Sequence, residues 1–249
     1  GGTLDPVERA KVGQYAENVY FGKPCGLMDQ MGSSVGGAVA IDFADPAAPV
    51  VKKVEYDFTR SGHALCIVDT GSCHADLTDD YADITREMGA VAARFGEKFL
   101  RDVDEGAFRA ALPQLREECG DRAVLRAMHF FEEDRRAEQE AEALEQGDFD
   151  AFLALVDQSG LSSALNLQNT WSAAAPQQQA IPVALAVGRE LLGGSGAIRV
   201  HGGGFAGTIQ AFVPNGKLET FRRGMEELLG PGMCHILHIR PHGGCVVLK

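Results

Sequence analysis

One acidic residue of the chain stands among apolar neighbours. Asp29 lies in the stretch Cys-Gly-Leu-Met-Asp-Gln-Met at residues 25–31, just after the helix-breaking Gly-Lys-Pro at 22–24. A short helix is predicted to start near Gly26. A carboxylate in such a setting can be partly desolvated, and it can then accept a proton or orient a hydroxyl. An aspartate at a helix start is more often a cap, and the residues alone favour the cap for Asp29.

A second candidate is a glycine-rich loop, formed by Gly202, Gly203, Gly204, Phe205, Ala206 and Gly207. Its spelling matches the G-x-G-x-x-G fingerprint of dinucleotide-binding proteins, but that fingerprint must open a helix. Residues 208–213 instead alternate and contain β-formers, so the loop joins two strands and the dinucleotide interpretation fails. The alternative is a long hairpin turn, but two-residue Asn-Gly or Asp-Gly turns do that job with fewer glycines. We therefore favour a functional loop, in which positive φ angles let the backbone approach another group closely.

Three further groups of polar residues do not predict a site. His235 and His238 are three positions apart in a predicted strand, so their side chains point to opposite faces and a shared metal ion is not expected. The hydroxyls at 159–163 lack the G-x-S-x-G elbow of a nucleophilic serine. The acidic residues at 122–145 are interspersed with arginines, which is typical of a solvated helix face with i,i+4 partners.

Local patterns predict the elements that must position these residues. Asp5 followed by Pro6 predicts the start of a first helix. Residues 38–43 and 50–58 are predicted to be strands, joined by a turn at Asp45-Pro46.

From residue 64 onward we predict four strands, at residues 64–69, 197–200, 208–213 and 234–239. Two helices are predicted beside them, at residues 80–95 and 218–229. A helical insertion includes residues 108–115, 122–145, 149–156 and 181–192. Without the insertion the order is β-α-β-β-α-β, the ferredoxin-like split βαβ unit, in which two helices cover one face of an antiparallel sheet. We therefore predict an α+β fold, with a domain of roughly 185 residues preceded by the tail of another domain.

Composition restricts the possible partners. The 249 residues carry a net charge of −12 and a pI near 5.0, which argues against a nucleic-acid or anionic-membrane partner but not against small phosphorylated ligands. No apolar run approaches the ~20 residues that span a bilayer. The six cysteines are irregularly spaced, so we expect reduced thiols and a cytoplasmic protein. The oligomeric state is left open.

The two candidate segments occur together, and in this order they resemble galactokinase, within the GHMP class of small-molecule kinases. Residues 25–30 are similar to the family's C-G-[IL]-M-D-Q segment. The resemblance implies that Asp29 lies against the sugar hydroxyl that is phosphorylated and that Gly26 lies close to the sugar. Residues 199–208 resemble the family's third motif, a G-G-G-F-G-G-type loop beside the active site, although Ala206 replaces its penultimate glycine.

Two other segments match the family less closely. Residues 74–81 resemble the segment in which a tyrosine contacts galactose, with a different leucine spacing, and this implies a sugar contact for Tyr81. Residues 159–169 fall where many relatives have a Ser-His pair. Gly160 stands in place of that histidine, so the resemblance implies no role there.

The resemblance implies a division of the chain and an activity. Residues 1–62 would be the C-terminal remnant of the N-terminal GHMP kinase domain, and residues 63–249 a ferredoxin-like C-terminal GHMP kinase domain with a helical insertion. The implied activity is phosphorylation of galactose at its anomeric hydroxyl, with ATP and Mg²⁺ as cofactors. Alternatives are a non-catalytic sensor of sugar and nucleotide, or a GHMP kinase for another sugar such as an N-acetylated amino sugar.

The family's first motif, with its arginine, and its second, phosphate-binding motif do not occur in these residues. The chain also lacks an initiator methionine. We therefore expect it to begin partway through a longer protein, to hold Mg²⁺ mainly through residues outside it, and to be inactive alone.

Overall fold

The computed structural model describes residues 4–22, 25–72 and 77–245. The chain divides into two compact units, one of residues 1–58, 141–148 and 238–249 and the other of residues 59–140 and 149–237. The domain division predicted at residue 62 stays a prediction. Within the described ranges, no helix is both long enough and apolar enough to cross a membrane.

The described residues of the first unit include the helices Pro6–Tyr15 (α1) and Met28–Val35 (α2) and a β-hairpin. The antiparallel strands β1 and β2 of the hairpin are Ala38–Asp42 and Val50–Val54. As predicted, Asp5 caps the start of α1, and its carboxylate accepts a hydrogen bond from the Val7 amide at 2.7 Å. Leu27 and Met31 are buried together with Ala10 of α1, so the segment that carries Asp29 is anchored on α1 by its apolar neighbours.

The second unit is built on an antiparallel sheet. The described residues form four strands in it, in the order β4-β5-β3-β6. Their bounds are His63–Asp69 for β3, Ala197–Val200 for β4, Thr208–Pro214 for β5 and Cys234–Leu237 for β6. This is the strand order of the ferredoxin-like split βαβ unit, so the predicted α+β fold is confirmed.

The remaining helices are α3 (Thr78–Ala93), α4 (Glu105–Ala110), α5 (Leu112–Cys119), α6 (Asp121–Glu145), α7 (Phe149–Ser162), α8 (Ala180–Leu192) and α9 (Leu218–Leu229). Side chains of α8 and α9 pack against the sheet in one core. Helix α3 instead packs with the insertion helices in a second core.

The prediction that the first crossover helix is residues 80–95 is therefore wrong, and α8 takes that place. The physical reason lies in the two helix faces. Helix α8 has a broad apolar face that includes Ile181, Ala184 and Leu185, whereas in α3 only Val91 and Ala92 are fully buried. A helix that covers a sheet needs the broader apolar face.

Candidate functional site

Asp29 lies in the first turn of α2 and is exposed. Leu27 occupies the capping position and makes no capping hydrogen bond through its side chain. Within the described part of the chain, the Asp29 carboxylate has neither a hydrogen bond nor an ion pair, so the interpretation as a cap is wrong. Asp29 is thus able to accept a proton from a ligand hydroxyl or to orient it.

Gly26 precedes this helix in a segment held by its neighbours. Gln14 Nε2 donates to the Cys25 carbonyl at 3.1 Å, and the Cys25 amide donates to Asn18 Oδ1 at 2.8 Å. A Cβ placed on Gly26 would meet nothing within 4 Å, and the φ of Gly26 lies outside the left-handed region. Neither backbone conformation nor packing within the described residues requires a glycine here, so the open space beside Gly26 can receive a ligand.

The glycine loop joins β4 to β5, as predicted, and much of its backbone is left-handed. Positive φ angles occur at Gly202 (68°), Gly204 (81°), Phe205 (60°) and Gly207 (89°). An aromatic residue in this region is strained, and such strain persists only where the surroundings impose it. The loop conformation is therefore fixed by contacts with the rest of its unit.

Those contacts come from three places. The Tyr81 hydroxyl donates to the Gly204 carbonyl at 2.8 Å, and the Tyr81 ring packs edge-on against Phe205 with centroids 5.2 Å apart. Asn169 contacts residues 203–205 through both its backbone and its side chain. At the far end, the Thr70 hydroxyl donates to the Gly207 carbonyl at 2.7 Å.

Tyr81 therefore lies directly against the glycine loop. Burial, and secondly the charge of Asp80, raise the pKa of the Tyr81 phenol, which keeps it protonated as the donor of its bond to Gly204. The predicted contact of Tyr81 with a sugar stays a prediction. Residues 74–76, which belong to the same family-like segment, lie outside the described residues.

The exposed half of the loop offers hydrogen-bond donors. Gly202 and Gly203 are exposed, and their amides donate no hydrogen bond within the part of the chain that the structure describes. Backbone N–H groups of glycine loops bind anionic and hydroxyl oxygens. This half of the loop can thus bind a phosphate or a sugar oxygen.

Gly160 is explained by packing. A Cβ on Gly160 would lie 2.8 Å from the Cβ of Arg199 and 3.0 Å from the Ile198 carbonyl, so only glycine lets α7 approach β4 this closely. Beside this contact, Arg199 Nη1 donates to Ser159 Oγ at 2.5 Å. Gly160 therefore serves helix-strand packing in this chain.

The structure brings Tyr81 together with the glycine loop in the second unit, while Gly26 and Asp29 lie side by side in the first. Sequence reasoning missed Asn169. It belongs to no motif, and its contacts depend on bringing residue 169 beside residues 203–205, which local patterns do not predict.

Curated proteins similar to this chain are galactokinases. It is 31% identical over 222 residues to that of Mannheimia succiniciproducens and 29% identical over 220 residues to that of Actinobacillus pleuropneumoniae serotype 5b. Each match covers 88% of this chain but 54% of the relative. The chain thus spans about half the length of the curated relatives it matches. No family model matches it.

Solved structures show the same fold. The galactokinase of Lactococcus lactis complexed with galactose matches with a TM-score of 0.70 and 21% identity, over 97% of this chain and 61% of that one. The L. major mevalonate kinase in complex with R-mevalonate matches with a TM-score of 0.59 and 13% identity, over 97% of this chain and 60% of that one. These likenesses confirm the GHMP-kinase fold, and the curated relatives confirm the resemblance to galactokinase.

Proposed function

We propose that the protein containing this chain is a galactokinase, which transfers the γ-phosphoryl group of ATP to the anomeric hydroxyl of galactose. One observation carries the proposal. The free, exposed carboxylate of Asp29 stands in a Cys-Gly-Leu-Met-Asp-Gln segment, in a chain that matches curated galactokinases over 88% of its length.

Asp29 acts on the attacking hydroxyl. Its carboxylate orients the anomeric O–H and accepts its proton as the oxygen bonds to the γ-phosphorus and the bond to the β-phosphate oxygen breaks. The open space beside Gly26 receives the sugar. Tyr81 contacts the sugar or fixes the glycine loop through its bond to Gly204, and the free amides of Gly202 and Gly203 bind an oxygen of a substrate.

When bound with ATP, Mg²⁺ would neutralise negative charge on the transferring phosphoryl group. Among the residues that the structure describes, no group of three or more His, Cys, Asp or Glu side chains is placed to hold a metal ion. We propose that the ligands of the metal lie mainly outside this chain, as the family's missing first and second motifs imply. A cytoplasmic location is part of the proposal, supported by the free thiols of the described cysteines.

The test is a panel of sugars with ATP and Mg²⁺, offered to the protein that contains this chain. Phosphorylation of galactose above galactosamine, N-acetylgalactosamine and glucose is expected, with the phosphate on the anomeric oxygen by ³¹P NMR. Preference for an N-acetylated amino sugar would contradict the proposed substrate. Binding of galactose and nucleotide without turnover would contradict the proposed reaction and indicate a sensor.

The chain alone is expected to show no sugar-dependent ATP turnover, because phosphoryl transfer depends on positioned cations and amides that its motifs do not include. Turnover above that of an Asp29→Ala control, measured by coupled ADP release, would contradict this expectation.

A further inference from the structure

Asn169 lies between two residues with left-handed backbone conformation, Gln168 before it in the chain and Phe205 in the glycine loop. It follows the π-helical turn Ser163–Leu167 and Gln168, whose φ is 59°. Its carbonyl accepts a hydrogen bond from the amide of Phe205, whose φ is 60°, over 2.5 Å. Left-handed conformations of residues other than glycine are costly, and pairs of them in contact mark a segment that its surroundings hold in place. The strained part of the glycine loop is thus bonded to a second strained segment.

The Asn169 side chain adds a second bond. It is only 3% exposed, and its Nδ2 donates to the Gly203 carbonyl at 3.1 Å. Its Oδ1 is buried without a partner among the described residues. A buried carbonyl oxygen without a donor is unfavourable, and an apolar side chain of similar size would avoid that cost. The amide at this position is therefore explained by the bond it donates to the loop and not by packing.

The fit between Asn169 and the loop is also steric. A Cβ on Gly204 would lie 2.1 Å from the Asn169 carbonyl oxygen and 2.7 Å from its Nδ2. Three successive loop residues are consequently held by Asn169: Gly203 and Phe205 by hydrogen bonds, and Gly204 by close contact. The Tyr81 hydroxyl bonds the Gly204 carbonyl independently.

We propose that Asn169 is a positioning residue, which holds residues 203–205, with Gly204 and Phe205 in the left-handed conformation, and so presents the exposed amides of Gly202 and Gly203 to the substrate. The effect on catalysis rests on the proposed function. The effect on the order of the loop does not, so the two are tested separately.

The loop is tested by hydrogen exchange of the backbone amides in the 249-residue chain. In Asn169→Ala, the Phe205 amide should exchange about tenfold faster, because the loop opens more easily once the bond from Asn169 Nδ2 to the Gly203 carbonyl is lost. Asn169→Asp keeps the size and Oδ1 but replaces the donor with a negative oxygen, so exchange should be at least as fast as in Asn169→Ala. Protection of the β3 amides should stay unchanged in both.

Asn166→Ala is the matched control. Asn166 lies in the π-helical turn that precedes Asn169, and its Nδ2 approaches Ser162 and Glu132 at 3.5 Å but none of the described loop residues. Loop exchange should keep its wild-type rate in this variant. Equal loop exchange in Asn169→Ala and Asn166→Ala, or wild-type protection in Asn169→Asp, would overturn the proposal.

If the Asn169 variants fail to fold, a measurement on the wild-type chain tests whether the Asn169 side chain is bonded to the loop. The side-chain NH₂ protons of Asn169 should exchange at least tenfold more slowly than those of the exposed Asn215, because one of them is bonded in a buried place. Exchange as fast as that of Asn215 would overturn the proposal.

Catalysis is tested in the protein that contains this chain. Asn169→Ala should lower kcat for galactose phosphorylation at least tenfold, with a smaller change in KM, while Asn166→Ala leaves both unchanged. An unchanged kcat in Asn169→Ala beside an active wild type would overturn the positioning role. Absence of turnover in the wild type would refute the proposed function instead, and the exchange measurement would still decide the role of Asn169 in the loop.

Discussion

Open space beside Gly26 gives this residue a role that packing does not explain. A Cβ at this position meets nothing within 4 Å, so Gly26→Ala should change the free energy of unfolding by less than about 0.5 kcal/mol. The added methyl group would occupy the space proposed for the sugar. We predict that the KM for galactose rises at least tenfold, measured by steady-state kinetics of the protein that contains this chain.

Gly32→Ala is the control for Gly26→Ala. It also adds a Cβ to open space, but inside α2, where alanine stabilises the helix by roughly 0.5–1 kcal/mol relative to glycine. The KM for galactose should not change in this variant. Equal KM values in Gly26→Ala and the wild type would contradict the placement of the sugar.

Alanine substitutions at Gly202 and Gly204 distinguish the cost of backbone strain from the cost of a steric clash within the same loop. Both have positive φ, 68° and 81°, so alanine at either position costs roughly 1–2 kcal/mol of conformational strain. A Cβ on Gly202 meets nothing within 4 Å, whereas one on Gly204 would lie 2.1 Å from the Asn169 carbonyl oxygen.

We predict that Gly204→Ala lowers the free energy of unfolding by at least 1 kcal/mol more than Gly202→Ala, a difference on the order of overpacking costs. Urea unfolding of the two variants measures it. Equal losses would show that Asn169 does not hold the loop as tightly as the structure indicates.

At the scale of elements, α6 and α7 bury a histidine between them. His129 Nδ1 lies 2.9 Å from Ser162 Oγ. Burial lowers the pKa of His129 to about 4, and the nearby charges of Arg199 and Arg136 act in the same direction. Glu132 and Glu133 of α6 pair with Arg136, so the imidazole stays neutral beside a charged cluster.

The lowered pKa of His129 makes stability depend on pH. An unfolded histidine has a pKa near 6.5, so between pH 6.5 and 4 the unfolded chain binds a proton that the folded His129 does not. The stabilisation is fully present above pH 6.5 and is lost as pH falls towards 4, by about 3 kcal/mol. Urea unfolding at pH 7 and pH 4 should show a smaller loss for His129→Gln than for the wild type.

His201→Gln, which replaces an exposed histidine, serves as the control for the substitution itself. If His129→Gln lost as much stability as the wild type on acidification, burial of a neutral His129 would be refuted.

The secondary-structure elements also show how much of the fold can be predicted from local sequence patterns. Strands and helices such as β4 and α9 lie where their hydrophobic patterns predict them, because the spacing of apolar residues in each segment reflects the face that it buries. The choice of α8 over α3 as the crossover helix depends on which face fits the sheet, and the split of residues 108–115 between α4 and α5 depends on packing in the insertion. Asn169 could not be predicted, because its role arises only when distant segments meet.

At the scale of the whole molecule, the acidic balance and the proposed chemistry are compatible. The net charge of −12 opposes binding of polyanions, but a single phosphate or sugar oxygen can be bound by local backbone amides. The free amides of the glycine loop are such donors. The chain therefore supplies the attacking side of the proposed reaction, with Asp29 for the hydroxyl and a fixed loop for a substrate oxygen.

The most direct measurement of the central claim compares the wild type with Asp29→Asn in galactose phosphorylation by the protein that contains this chain. The wild type should form galactose 1-phosphate, and Asp29→Asn should lower kcat by about 10²–10⁴, the usual contribution of a general base. Asp150→Asn, which changes another exposed carboxylate in the first turn of a helix, should keep wild-type kcat. An Asp29→Asn variant that phosphorylates galactose as fast as Asp150→Asn would contradict the assignment of Asp29.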